Sequence, residues 1–170
     1  MRMPFLLSCL LLSACASWPG YRYPTGPTPV PKIASVTLNQ PFTIRAGRAS
    51  EYIQDGKILP YSKISEYYPH CIFELRLPAD KARTVQPDTF TVTSIRRDRF
   101  MAWAAGRQFA SDGEGDYNMV MSSTVLSLHS DRQPQVFRLT CQELDDPFRE
   151  HHVTTAEMQQ ALGEIFTLNP

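Results

Sequence analysis

The stretch YYPHCIFELRL, residues 67–77, alternates between apolar and polar side chains from Cys71 onward. Because an extended chain directs successive side chains to opposite faces, one face of this stretch carries four apolar residues: Cys71, Phe73, Leu75 and Leu77. The other face carries Ile72, Glu74 and Arg76. The pattern predicts a β-strand that covers an apolar core with one of its faces.

Similar runs recur on both sides of this stretch, separated by turn signals such as Asp55-Gly56 and Pro87-Asp88. The other predicted strands are 35–38, 42–45, 49–54, 90–95, 117–128 and 135–142, with 100–104 either continuing 90–95 or forming a separate short strand. The last of them places Phe137, Leu139 and Cys141 on one face. We therefore predict a mainly β fold, an antiparallel sandwich or small barrel of about seven strands.

One α-helix is predicted at the C-terminus. Thr154 and Glu157 have the spacing of a capping box. An apolar stripe with helical spacing follows, formed by Met158, Ala161, Leu162 and Ile165. We expect this stripe to pack on the sheet of the same domain, since that is the commoner use of such a face.

The N-terminus has the pattern of an export signal. Arg2 precedes the short apolar stretch 5–12, and small residues follow it. This stretch is too short to cross a bilayer as a helix. We therefore expect residues 1–14 to be a signal peptide.

Leu12-Ser13-Ala14-Cys15 resembles the lipobox of bacterial lipoproteins, in which the cysteine is acylated and the chain is cut before it. The resemblance implies that Cys15 carries fatty acyl chains such as palmitate and holds the protein on the lipid bilayer, since two or three chains give stable anchoring. Ala16-Ser17 after the cysteine resembles lipoproteins that are sorted to the outer membrane. The alternative is an ordinary A-x-A cleavage site at Ala14-Cys15-Ala16, which would give a soluble secreted protein.

Residues 15–32 form a predicted tether and residues 33–170 a single globular domain, whose length suits one hydrophobic core. The tether contains five prolines: Pro19, Pro24, Pro27, Pro29 and Pro31. Prolines so closely spaced exclude regular hydrogen-bonded structure and favour an extended spacer.

Charge and cysteine content exclude some functions. Seventeen Lys and Arg residues balance 17 Asp and Glu residues, so no basic patch for nucleic acid is indicated. Cys71 and Cys141 both fall on apolar strand faces of an exported protein, which favours a buried disulfide between them. The alternative, a reactive or metal-binding thiol beside His70, is disfavoured because adjacent strand residues point to opposite faces.

Three further groups of residues contain side-chain types found in binding sites. His151 and His152, with Asp145, Asp146 and Glu150, are the richest group of metal-ligand types, but their spacing matches no standard site and predicts a solvated segment. Residues 112–116 begin like a calcium loop, yet Tyr117 and Ser123 occupy two positions that the EF-hand pattern reserves for Gly and Glu. The cluster Arg96, Arg97 and Arg99 could meet an anion but is more typical of a solvated strand end.

No catalytic motif is recognisable, and neither a metal nor a cofactor is expected. Four segments in the middle of the chain are similar to small proteobacterial envelope lipoproteins to which no activity is assigned: 46–49, 53–56, 67–74 and 87–90. The resemblance implies an envelope location and a β domain with paired cysteines. We expect a non-enzymatic binding or scaffolding module that recognises another envelope protein. The alternatives are an envelope hydrolase and a barrel that captures a small ligand.

Overall fold

The computed structural model describes residues 28–102, 119–148 and 151–170. Within these ranges the strands are β1 (Ser35–Leu38), β2 (Phe42–Ile44), β3 (Ser50–Gln54), β4 (Lys57–Leu59), β5 (His70–Leu75), β6 (Arg83–Val85), β7 (Asp88–Ala102), β8 (Met119–His129), β9 (Val136–Asp145) and β10 (Phe166–Asn169), and the helix is α1 (Thr155–Leu162). The predicted mainly β class with one C-terminal helix is confirmed.

Eight strands form one antiparallel sheet in the order β10-β1-β7-β8-β9-β5-β3-β4, and β2 pairs with β6 in a separate ribbon. The large sheet curves into a half-barrel. Three short strands, β4, β6 and β10, were not predicted. Residues 100–102 continue the strand of residues 90–95, since β7 runs from Asp88 to Ala102, and residues 103 and 104 lie outside the described ranges.

Two apolar residues that the alternation placed on the buried faces point outward. Leu77 is 70% exposed because β5 already ends at Leu75. Phe137 is 36% exposed because the register between β5 and β9 shifts where Leu75 pairs with Val136. This bulge brings Val136 into the core in place of Phe137.

The core lies between the large sheet, the β2–β6 ribbon and α1. Four phenylalanine rings meet there, with the centroid of Phe73 at 5.3 Å from Phe42, 6.0 Å from Phe90 and 5.4 Å from Phe166. Beside them a disulfide joins Cys71 of β5 to Cys141 of β9, directly opposite it in the sheet. The predicted disulfide is therefore present, and both cysteines are buried as expected.

Helix α1 begins with the predicted capping box. The backbone N–H of Glu157 donates to Thr154 Oγ1 (3.3 Å), and the backbone N–H of Thr154 donates to Glu157 Oε2 (2.9 Å). The helix ends at Leu162, so Ile165 is buried beyond the helix instead of in its last turn. The buried stripe on α1 is therefore limited to Met158, Ala161 and Leu162.

The last residues of the predicted tether lie against the domain. Thr28 is buried, and its hydroxyl accepts a hydrogen bond from the backbone N–H of His152 (3.2 Å). The guanidinium of Arg97 donates to the carbonyl oxygens of Thr28 and Pro29. Of the residues predicted to form the tether, 28–32 are thus part of the folded unit, and 15–27 lie outside the described ranges. In the described ranges, α1 lacks the length and the apolar composition needed to cross a bilayer.

Candidate functional site

An open pocket of about 600 Å³ lies where the C-terminal end of β9 meets α1, the β3–β4 turn and the segment before β5. Its lining residues are Asp55, Tyr67, Tyr68, Pro69, Glu143, Leu144, Asp145, His151, Glu157, Gln160 and Ala161. Four of these are carboxylates, and the described lining includes neither Lys nor Arg. The pocket is therefore acidic.

The rim of the pocket is aromatic and its floor is ionisable. Tyr67 and Tyr68 are 45% and 67% exposed, whereas His151 and Glu143 are only 6% and 7% exposed. A group that enters the pocket would therefore pass tyrosine rings before it reaches the buried carboxylate. Aromatic faces and carboxylates both favour a positive charge.

The two tyrosines are positioned by hydrogen bonds from neighbouring strands. The side chain of Gln54 donates to Ser65 O (2.9 Å) and accepts from Ser65 N–H (3.0 Å). The backbone N–H of Leu144 donates to Glu66 O (2.7 Å). These bonds tie the segment before the tyrosines to the end of β9, and so they fix the rim next to the floor.

The floor begins on the inward face of β9. Leu139 and Cys141 are buried on this face, and because side chains alternate along a strand, Glu143 and Asp145 continue it. The sheet thus carries two acidic side chains past the edge of the apolar core. Glu143 is not among the predicted site residues, although extending the alternation of β9 by one more step would identify it.

His151 lies between two carboxylates. Its Nδ1 is hydrogen-bonded to Glu143 Oε1, and its Nε2 lies 3.5 Å from Glu157 Oε2. Glu157 Oε2 is also the acceptor of the capping box, where the Thr154 hydroxyl donates to it over 2.8 Å. The capping box therefore fixes the second carboxylate beside the imidazole.

The electrostatics of the floor favour neutralisation of its negative charge. Burial raises the pKa of the Glu143 carboxyl above its usual range, and the negative charges of Glu157 and Asp145 add to this rise. The interaction with His151 opposes it. A cation at the floor would remove the cost of holding these carboxylates together away from water.

The two adjacent histidines, His151 and His152, have different surroundings. His151 is buried at the floor, so the predicted solvated segment is wrong at this residue. His152 is half-buried and faces Arg97, and burial followed by the charge of Arg97 lowers its pKa. Of the acidic residues considered with the histidines, Asp145 joins the site, Asp146 is outside the pocket lining and Glu150 is outside the described residues.

The other candidate residues do not join this site. Arg97 holds residues 28 and 29, and Arg96 forms an ion pair with Asp98 (2.9 Å). Residues 112–116 and Cys15 lie outside the described ranges. The acidic turn residue Asp55 and the helix residue Glu157 come from distant segments, so the sequence offered no signal that links them to the floor.

The function of this protein is inferred from the geometry of the pocket. No family model, curated protein or solved structure matches the chain. What the arrangement offers chemically is an acidic, aromatic-rimmed pocket with a buried imidazole. Among the described lining residues there is no Ser, Thr or Cys that could serve as a nucleophile beside that imidazole.

Proposed function

We propose that this protein is a lipid-anchored, non-enzymatic binding module of the bacterial envelope. The pocket takes a positively charged group, such as a Lys or Arg side chain, of another envelope protein. The observation that carries the proposal is the lining itself, in which four carboxylates face two exposed tyrosines without a Lys or Arg among the described residues.

The location follows from the N-terminus. Acylated Cys15 anchors the chain to a membrane, the outer membrane if Ala16 and Ser17 direct sorting, and the domain faces the periplasm. The residues between the anchor and Thr28 are rich in proline and act as the spacer. If extended at about 3.1 Å per residue, they allow a reach of roughly 40 Å from the bilayer.

The filled interior favours binding at a surface pocket over capture of a small ligand inside a barrel. Phe73, Phe90 and Phe166 are fully buried and occupy the concave side of the sheet. A ligand carried in the lipocalin manner would need that space. The acidic pocket lies outside this core, where a projecting group of a partner can reach it.

The proposal is tested by photo-crosslinking of the full-length protein in bacterial cells. A photoreactive residue replaces Tyr68 at the rim, and a matched control replaces Phe137, an aromatic residue exposed on β9 away from the pocket. We expect a crosslinked partner from position 68 that is absent from position 137. Adding Asp55→Asn should reduce this product severalfold, because the pocket then loses a negative charge.

The same cells test the anchor. Cys15→Ala should move the protein from the membrane fraction to the soluble fraction, since the acyl chains provide the attachment. Equal products from positions 68 and 137, or a product that is unchanged by Asp55→Asn, would refute recognition through the pocket. Retention of Cys15→Ala in the membrane fraction would refute the anchor.

A further inference from the structure

We propose that Glu143, Asp145 and His151 bind a divalent metal ion of the zinc class. One donor atom from each residue lies within 4.8 Å of the other two. Zinc holds imidazole nitrogen and carboxylate oxygen at about 2.0–2.2 Å, so small side-chain rotations bring the three donors around one ion. This inference goes beyond the proposed function, because metal binding belongs to the protein itself and requires no partner.

The donor types indicate which metals are suitable. An imidazole nitrogen suits zinc and its transition-metal neighbours, whereas calcium and magnesium prefer sites made of oxygen alone. Glu143 and His151 are buried and Asp145 is half-buried, so two of the ligands are already shielded from water. Three protein ligands would leave a further coordination position open toward the pocket.

A second observation concerns a buried nitrogen atom that lacks a hydrogen-bond partner. The Nε2 of His151 makes no hydrogen bond within the described residues, although the side chain is more than nine-tenths buried. In the neutral ring that donates its Nδ1 proton to Glu143, Nε2 is an acceptor that faces the carboxylate of Glu157. A neutral ring can therefore donate to only one of the two carboxylates, so facing both requires either a second ring proton or a cation in place of one proton.

A metal ion on Nδ1 would satisfy both carboxylates without a second ring proton. The ion replaces the Nδ1 proton between His151 and Glu143, and the ring proton then resides on Nε2. From there it points to Glu157 Oε2, 3.5 Å away. Metal-bound histidines commonly donate their other N–H to a carboxylate, which fixes the ring and strengthens the ligand. Glu157 is thus a positioning residue, and the capping box holds it in place.

The binding test uses the full-length protein in detergent micelles, freed of metal by a chelator and titrated with Zn²⁺ by calorimetry. We expect one Zn²⁺ per chain. Co²⁺ in place of Zn²⁺ should give visible absorption bands of a nitrogen- and oxygen-ligated ion. His129→Gln is the matched control, because this exposed histidine lies beside Asp131 (3.2 Å) but outside the pocket.

Four variants probe the site. His151→Gln and Glu143→Gln should abolish Zn²⁺ binding, and Asp145→Asn should weaken it at least tenfold. Glu157→Gln keeps a side chain that suits a capping box and should raise the Kd for Zn²⁺ by about 10–100-fold, as is usual for partners of a ligating histidine. Because replacing buried residues can prevent folding, circular dichroism of each variant is recorded, and Asp145→Asn provides the test at a half-buried position.

The outcomes separate the alternatives. Zn²⁺ binding that is at least tenfold weaker in folded Asp145→Asn and also weaker in Glu157→Gln, with His129→Gln unchanged, would support the site. Absence of Zn²⁺ binding by the wild type would overturn it, as would equal binding by all variants or equally tight binding of Ca²⁺. Crosslinking from position 68 is measured independently, so failure of the metal site and failure of the partner site are distinguishable.

Discussion

At the scale of single residues, His70 shows how the fold selects a protonation state. The side chain is fully buried next to the disulfide. Its Nδ1 lies 3.0 Å from Tyr68 O, and its Nε2 lies 3.2 Å from the side-chain amide nitrogen of Gln142. The carbonyl requires a donor and the amide requires an acceptor, so His70 is neutral with its proton on Nδ1. Burial lowers the pKa of His70, opposed by the Tyr68 carbonyl and the charge of Glu66.

This environment predicts a pH-dependent stability. The unfolded chain binds a proton at His70 near pH 6.5, whereas the folded protein does so only at lower pH. Below about pH 6.5 the unfolded state therefore holds more protons, and the free energy of unfolding falls until the folded pKa is passed. We expect His70→Gln to reduce this fall between pH 7.5 and pH 5, as measured by urea denaturation at several pH values.

His129→Gln is the control for this measurement, because His129 is exposed and its replacement should leave the pH dependence close to that of the wild type. The remaining histidines are common to all three proteins, so only the difference from the wild type is interpreted. A His70→Gln protein with the full pH dependence would show that His70 titrates alike in both states.

At the scale of elements, the contact between α1 and the β3–β4 turn depends on two glycines. The N–H of Gly56 donates to Ala161 O (2.9 Å), and Gly163 has a φ of 57°. A Cβ atom on Gly163 would lie 2.4 Å from Gly56 Cα, so the two backbones touch where a side chain cannot fit. This contact brings Asp55 to the pocket and aligns α1 with it.

Gly163→Ala should therefore destabilise the protein more than a Gly→Ala substitution at another position with positive φ and open surroundings. Gly47→Ala is the matched control, since Gly47 has a φ of 75° but nothing within 4 Å of an added Cβ. We expect the control to lose about 1–2 kcal/mol and Gly163→Ala to lose about 1–3 kcal/mol more from strain and displaced backbone. Urea denaturation measures both, and equal losses would contradict the close packing.

Elements were predictable from the sequence to different degrees. The capping box of α1 and the Asp55-Gly56 turn were recognised because their signals are local and residue-specific. Strand β4 follows that turn but was missed, since Lys57–Leu59 is short and half-exposed. The outward position of Phe137 was also missed, because a bulge depends on the pairing with β5 and not on β9 alone.

At the scale of the whole molecule, the disulfide between Cys71 and Cys141 links two strands that are 70 residues apart in the chain. In the chain-entropy model, closing such a loop stabilises the folded state by roughly 4 kcal/mol. We expect Cys71→Ala/Cys141→Ala to lose about 2–5 kcal/mol of the free energy of unfolding. Denaturation in urea with and without a reductant tests the same bridge in the wild type. If neither replacement nor reduction lowers the stability, the bridge does not constrain the unfolded chain.

The sequence by itself determined the β class, the buried faces of β5 and β9, the disulfide pair and the start of α1. The strand faces and the helix start depend on alternation, spacing or a cap that lies within a few residues, and the disulfide was inferred from two cysteines that both fall on such apolar strand faces. Only the tertiary structure decided that Glu143, His151 and Glu157 meet, because a strand, the segment after it and a helix supply them and strand pairing sets their distances. The burial that makes His151 chemically distinctive is likewise a property of the packed domain, since neighbouring His152, of the same residue type, faces Arg97 instead.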